Sequence, residues 1–283
     1  MIYIKLIALF LIYSFLEPTR ACGVPAVTPN INLFKRIING QDAVANSWPW
    51  TVSIRFYYSY SLYDHFCTGT LIAADLVLTA ASCVYNKNPA NIVVLVGMHD
   101  RNAISSNNVA FVKGFAYNSG FNINSLPNGN DIAVLKLRNP VTLRNNVQIA
   151  CLPANSNDFL SLINKKLVTV GWGSTNGINS NAFYSRFLQQ TTLTLLNSNN
   201  PECTIIPYNK FSLFCAKDFQ RSSNICFADA GAPLMAQING RWHVYGIASM
   251  AFTYNNICVN TKPSYFTSVP NFLTWIQYWS TQI

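Results

Sequence analysis

Asn91-Ile92-Val93-Val94-Leu95-Val96-Gly97 sets five consecutive apolar residues, four of them β-branched, between an asparagine and a glycine. A run of that length and composition reads as a buried strand. Upstream, Val52-Ser53-Ile54-Arg55-Phe56 alternates apolar and polar residues, and similar β-prone runs lie at Ile132–Leu137, Leu167–Trp172, Trp242–Ala248 and Tyr265–Val269. Clusters of Gly, Asn and Pro separate them. Many short strands with frequent turns predict an all-β barrel or sandwich rather than βαβ units. One helix is expected at the C-terminus, where Phe272, Trp275, Ile276 and Trp279 fall at helical spacing after Pro270-Asn271. Those aromatics are read as core packing, not as a ligand box. The polar stretches Asn145-Asn146 and Ala154–Asp158 are read as links between two halves, and no internal repeat is visible.

At 283 residues the chain holds two modest cores or one large one. Met1–Ala21 reads as a secretory signal peptide: Lys5 supplies the charged start, Leu6–Leu16 the apolar run, and Thr19-Arg20-Ala21 the small residues of a cleavage site. The apolar run is too short to span a bilayer. Removing residues 1–21 takes away Lys5, Glu17 and Arg20 and leaves a net charge of +8. All eight cysteines follow that segment, an even number in an exported chain, which predicts disulfides while leaving their pairing open. There is no Cys-x-x-Cys pair and no His/Cys cluster, so neither a metal nor another cofactor is expected. No Asn-x-Ser/Thr acceptor for N-glycosylation occurs. The basic residues are scattered, with Lys165-Lys166 the one doublet after Lys35-Arg36. Scattered charge reads first as solubility, and second as affinity for a polyanion or a charged surface.

Several blocks are more specific than this patterning. Thr79-Ala80-Ala81-Ser82-Cys83 and Cys226-Phe227-Ala228-Asp229-Ala230-Gly231-Ala232-Pro233-Leu234 resemble the two signature blocks of the chymotrypsin-like serine proteases. Cys22-Gly23-Val24-Pro25-Ala26 is similar to a chymotrypsinogen propeptide, and Arg36-Ile37-Ile38-Asn39-Gly40 to the activation site. Ser47-Trp48-Pro49-Trp50, Phe66–Ile72, Asn130–Leu135 and Val170-Gly171-Trp172-Gly173 follow in the family's order. The resemblance implies two packed six-stranded antiparallel barrels meeting at a cleft. It implies a propeptide-like segment at 22–36 and a protease-like domain at 37–283, with barrels near 37–150 and 155–268 and a helix near 270–281. It also implies the pairs Cys22–Cys151, Cys67–Cys83, Cys203–Cys215 and Cys226–Cys258, the first keeping the propeptide attached after a cut at Arg36.

At the catalytic positions the chain departs from the family. The resemblance places Ser82 where the general-base His stands, Asp131 at the orienting carboxylate, and Ala230 at the nucleophile. A neutral hydroxyl needs a base within hydrogen-bond reach to attack an amide near pH 7, and a serine cannot serve as that base. The oxyanion-hole amides would come from Ala228 and Ala230. The family has Gly at the positions of Ala228 and Ala232. A Cβ at Ala228, where the backbone conformation favours Gly, disfavours the oxyanion geometry. The activation pair matches Ile37 and Asp229. Asn224 falls at the base of the specificity pocket, with Ala251 and Ser264 on its walls, Met250 replacing a wall Trp, and Ser249 in the groove. The added bulk predicts a narrowed pocket. Of the three histidines, His65 reads as a packing residue, His99 as part of a surface loop and His243 as a strand residue.

The function expected from these readings is binding without cutting. The chain is read as a secreted, monomeric, catalytically inactive protease homologue. Its partner would be a protease, an inhibitor or another component of a proteolytic cascade. A cationic polyanion-binding protein is the alternative, and an active endopeptidase is the family-level reading. Neither nucleic acid nor, after signal removal, membrane is expected as a partner.

Overall fold

In the first half of the protein a short strand β1 (Gln41–Asp42) precedes β2 (Thr51–Tyr58), β3 (Ser61–Ala73), β4 (Leu76–Thr79), β5 (Ile92–Leu95), β6 (Val109–Tyr117) and β7 (Ala133–Leu137). The structure is a computed structural model that describes residues 22–31, 41–58, 61–220 and 222–283. The expected signal peptide at 1–21 and the expected cut between Arg36 and Ile37 lie outside the described residues.

Strands β2 to β7 close into an antiparallel barrel in the order β2-β3-β4-β7-β6-β5. Closure rests on β5, whose Ile92, Val93, Val94 and Leu95 are all 0% exposed and which pairs with β2 on one side and β6 on the other. The alternation of Val52–Phe56 does not divide core from solvent: Ser53 and Arg55 are as buried as Val52 and Ile54, because their face of β2 is covered too.

The second half contributes β8 (Lys166–Gly171), β9 (Gln189–Leu195), β10 (Leu213–Lys217), β11 (Pro233–Ile238), β12 (Arg241–Met250), the small hairpin β13 (Thr253–Tyr254) and β14 (Ile257–Cys258), and β15 (Ser264–Ser268). The order β9-β10-β15-β12-β11-β8 closes through the β8–β9 pairing into a second six-stranded antiparallel barrel, and β1 joins it beside β9. The all-β, two-barrel expectation therefore holds.

One apolar cluster spans both barrels. Trp48 and Trp242 meet edge to face at 4.7 Å, and Trp50 Nε1 lies 3.0 Å from Met235 Sδ. Burying such rings across the junction makes separation of the barrels expose large apolar area. Four disulfides pin the loops: Cys22–Cys151, Cys67–Cys83, Cys203–Cys215 and Cys226–Cys258. The first ties residues 22–31 to the inter-barrel linker, where Gly23 N–H donates to Ile149 O (2.8 Å) and Trp242 N–H to Gly23 O (2.9 Å). At the far end of that segment Asn30 O accepts from the side chains of Gln41 (2.9 Å) and Gln190 (2.7 Å).

The C-terminal helix begins later than its spacing predicts. Val269–Phe272 form a 3-10 turn, and α1 runs over Leu273–Gln282. Pro270 sits in that first turn, where its missing N–H leaves no bond unmade. Phe272 and Ile276 enter the core and Trp275 packs on its edge. Trp279 stays half-buried beside exposed Tyr278.

Candidate functional site at the barrel junction

Ser82 stands in the 3-10 turn Ala81–Cys83 that follows β4, held there by the Cys67–Cys83 disulfide. Asp131 lies two residues before β7, and Thr267 Oγ1 fixes its carbonyl at 2.8 Å. Its carboxylate is 0% exposed and accepts three hydrogen bonds: Ser82 N–H at 2.7 Å, Ser82 Oγ at 3.1 Å and Ser249 Oγ at 2.7 Å. Ser249 comes from β12, so this contact joins the barrels. Burial pushes the Asp131 carboxyl up to about 6, against the pull of those donors.

Ala230 precedes β11 in the loop after Cys226. Its carbonyl accepts Thr68 N–H at 2.9 Å, and Cys83 Sγ sits 3.5 Å from the same oxygen. Asp131 thus meets Ser82 directly, and Ala230 lies beside Cys83, the residue after Ser82. Gly231 makes the turn possible: at φ 83° a Cβ would stand 2.1 Å from Thr68 O. Ala228 adopts φ 71°, the left-handed conformation that a Cβ disfavours. Among the described residues, neither the Ala228 nor the Ala230 N–H donates a hydrogen bond.

A family model for trypsin matches residues 37–276. The chain belongs to the trypsin family. Within the trypsin fold found here, the ordered blocks around Ser82, Asp131 and Ala230 occupy the barrel junction.

The neighbouring carboxylate, Asp229, accepts Gly173 N–H at 2.9 Å and Cys226 N–H at 3.0 Å. Burial raises it to about 6. Gly173 is required beside it, since a Cβ there would stand 2.3 Å from the carboxyl carbon. Asp229 lines a narrow cavity with Gly171, Gly173, Gln189 and Gln190. Among the described residues no cation faces it.

Asn224 makes three hydrogen bonds. Its Nδ2 donates to Lys262 O at 2.8 Å, and its Oδ1 accepts Ile225 N–H at 3.0 Å and the Ser264 hydroxyl. Ser264 is fully buried, Ala251 packs on the second barrel's core, and Met250 on a third apolar cluster. The Ser249 hydroxyl turns to Asp131.

None of the three histidines approaches the Ser82 site through a hydrogen bond. His65 is 1% exposed, with Nδ1 2.9 Å from Ser53 Oγ and Nε2 3.0 Å from Ala228 O. A carbonyl only accepts, so Nε2 carries the hydrogen and Nδ1 accepts from Ser53. Ser53 Oγ in turn accepts Arg55 Nε–H at 3.0 Å. A relay therefore runs Arg55–Ser53–His65–Ala228. Burial, reinforced by the Arg55 charge, pushes His65 down to about 3 and keeps it neutral. Arg55 also donates to Arg101 O at 2.6 Å, and Arg101 pairs with Asp64. Burial works to raise the Asp64 carboxyl, but the Arg101 bond, the His65 N–H and the two guanidinium charges together hold it low. Sequence reading assigned His65 a packing role and gave no sign of these partners, because Arg101 arrives from a loop far along the chain. His99, expected in a surface loop, is half-buried and stacks on Phe187 at 5.4 Å, and its carbonyl accepts Trp172 Nε1–H at 3.1 Å.

No cluster of three or more His, Cys, Asp or Glu with metal-binding geometry occurs among the described residues, and no helix there is long and apolar enough to cross a membrane.

Proposed function

We propose that this trypsin-family protein is a secreted pseudoprotease that binds a protein partner without cutting it. The observation that carries the reading is the Asp131 carboxylate, whose lone pairs are taken by Ser82 and Ser249 rather than by an imidazole. Ser82 is a donor to that carboxylate, and a hydroxyl of ordinary acidity does not remove a proton from a nucleophile near pH 7. Ala230 offers a methyl group where attack would start. The Cβ that Ala228 carries at a positive φ supports the same conclusion, since the backbone conformation there favours Gly. The leading apolar segment and the four disulfides support export.

The activation switch is read as kept in altered service. Gln41 is anchored to β9 opposite Gln190, and Gln190 lines the same cavity as Asp229. Four extended residues, 37–40, reach roughly 13 Å from that anchor. A new ammonium on Ile37 would there meet a buried carboxylate that has two N–H donors and no charge partner.

The direct test treats homogeneous protein, cut and uncut at Arg36, with a fluorophosphonate probe and a broad peptide-substrate library. The expected result is no labelling and no turnover. Stoichiometric labelling at a single residue would refute the reading.

A further inference from the structure

Arg241, His243 and Tyr245 stand at alternate positions along β12, so they share one face of the strand. With Asn155 and Asp158 of the inter-barrel linker they border a groove of about 700 Å3. No residue of the Ser82–Asp131–Ala230 site lines it. The groove is built rather than incidental. Tyr245 is 3% exposed, its ring belongs to the second barrel's core, and its hydroxyl makes no hydrogen bond among the described residues.

The polar groups here are of two kinds. The Arg241 guanidinium forms no ion pair or hydrogen bond among the described residues, which leaves a planar, permanently charged donor set that matches sulfate or carboxylate. His243 Nδ1 lies 3.0 Å from Arg241 O, which only accepts. Nδ1 therefore carries the hydrogen, and in the neutral ring Nε2 is left as an acceptor. One Asp158 oxygen is taken by Ala154 N–H (2.8 Å) and Asn155 N–H (3.2 Å), while the other makes no hydrogen bond among the described residues. The groove thus offers a cationic donor beside two acceptors and a carboxamide. An acidic peptide would satisfy the donor, but its carboxylates have no hydrogen to give to His243 Nε2 or to the free Asp158 oxygen. A ligand carrying both acid groups and hydroxyls satisfies all of them.

We propose that this groove binds an acidic saccharide, with its sulfate or carboxylate on Arg241 and Tyr245 and its hydroxyls on His243, Asp158 and Asn155. The inference is independent of whether the protein cuts.

The test titrates a heparin-derived hexasaccharide into the intact protein near physiological salt by calorimetry. Arg241→Ala and Tyr245→Phe are each expected to weaken binding roughly tenfold or more, as the loss of one hydrogen bond to a charged group. Arg241 is exposed and Phe keeps the ring of Tyr245 in the core, so both variants should melt like the parent. A Lys165→Ala/Lys166→Ala variant, altered outside the groove, is expected to bind unchanged. Equal weakening by the lysine variant would mean diffuse charge attraction and overturn the site. Absence of binding, or equally tight binding of polyglutamate or inorganic sulfate, would overturn the assignment to a saccharide.

Discussion

Ser82 gives both its backbone N–H and its hydroxyl to the carboxylate of Asp131, at 2.7 and 3.1 Å. Ser249 adds a third bond from the other barrel at 2.7 Å. A buried carboxylate without a cation is tolerated only when its oxygens are satisfied in this way. The contact now locks the two barrels together.

If the chain is the proposed pseudoprotease, placing His at position 82 and Ser at position 230 tests whether its cleft is otherwise sound. Ser82→His with Ala230→Ser is expected to create weak but measurable peptide hydrolysis and labelling by a fluorophosphonate. Either substitution alone should stay silent, because nucleophile and base act as a unit worth on the order of a millionfold in rate. Adding Ala228→Gly should raise the rate further. A silent triple variant that folds normally would place the fault elsewhere in the cleft.

Asp131 sets a pH signature. Its carboxyl lies near 6 in the fold and about 3.9 when unfolded. The folded state therefore binds the extra proton between those values, and this group's contribution is greatest below about pH 4 and is lost as pH rises through 6. His65, held near 3, works in the opposite sense: its contribution is full above about 6.5 and falls with acid. Asp131→Asn removes only the first effect, and its Nδ2 can donate to the Ser82 and Ser249 hydroxyls. Relative to the parent, it should be stabilised by roughly 3 kcal/mol at pH 7 and by less than about 1 kcal/mol at pH 4. Urea unfolding at both values reads this out, and a gap of equal size at each pH would contradict it.

Ala228 occupies φ 71°. Removing its Cβ relieves a left-handed conformation that disfavours any L side chain, so Ala228→Gly should raise stability by about 1 kcal/mol. Unchanged or lowered stability in denaturant titrations would show that the loop does not carry this strain.

Cleavage after Arg36 should slow hydrogen exchange across residues 226–231, and Asp229→Asn should abolish the change. The Cys22–Cys151 bond predicts one band without reductant and two with it. Identical exchange in cut and uncut protein would reject the switch while leaving the pseudoprotease reading intact.

The strands were legible because Ile92–Leu95, Ile132–Leu137 and Leu167–Trp172 are short apolar runs closed by turn residues, a local pattern that needs no partner to be read. The identities at Ser82, Asp131 and Ala230 were legible because ordered motifs surround them. Their hydrogen bonds were not. Arg55 and Ser53 looked like the polar side of a half-exposed strand, and the structure buries them under residues from distant loops. The groove along Arg241, His243 and Tyr245 was invisible for the same reason, since the linker that closes it lies some eighty residues upstream in sequence.

The sequence alone determined the kind of fold and which chemical groups stand in the ordered motif blocks, because strand patterning and residue identity are local properties. Only the tertiary structure decided what those groups touch. Burial, charge compensation and the direction of each hydrogen bond depend on chain segments that become neighbours when the barrels close and pack.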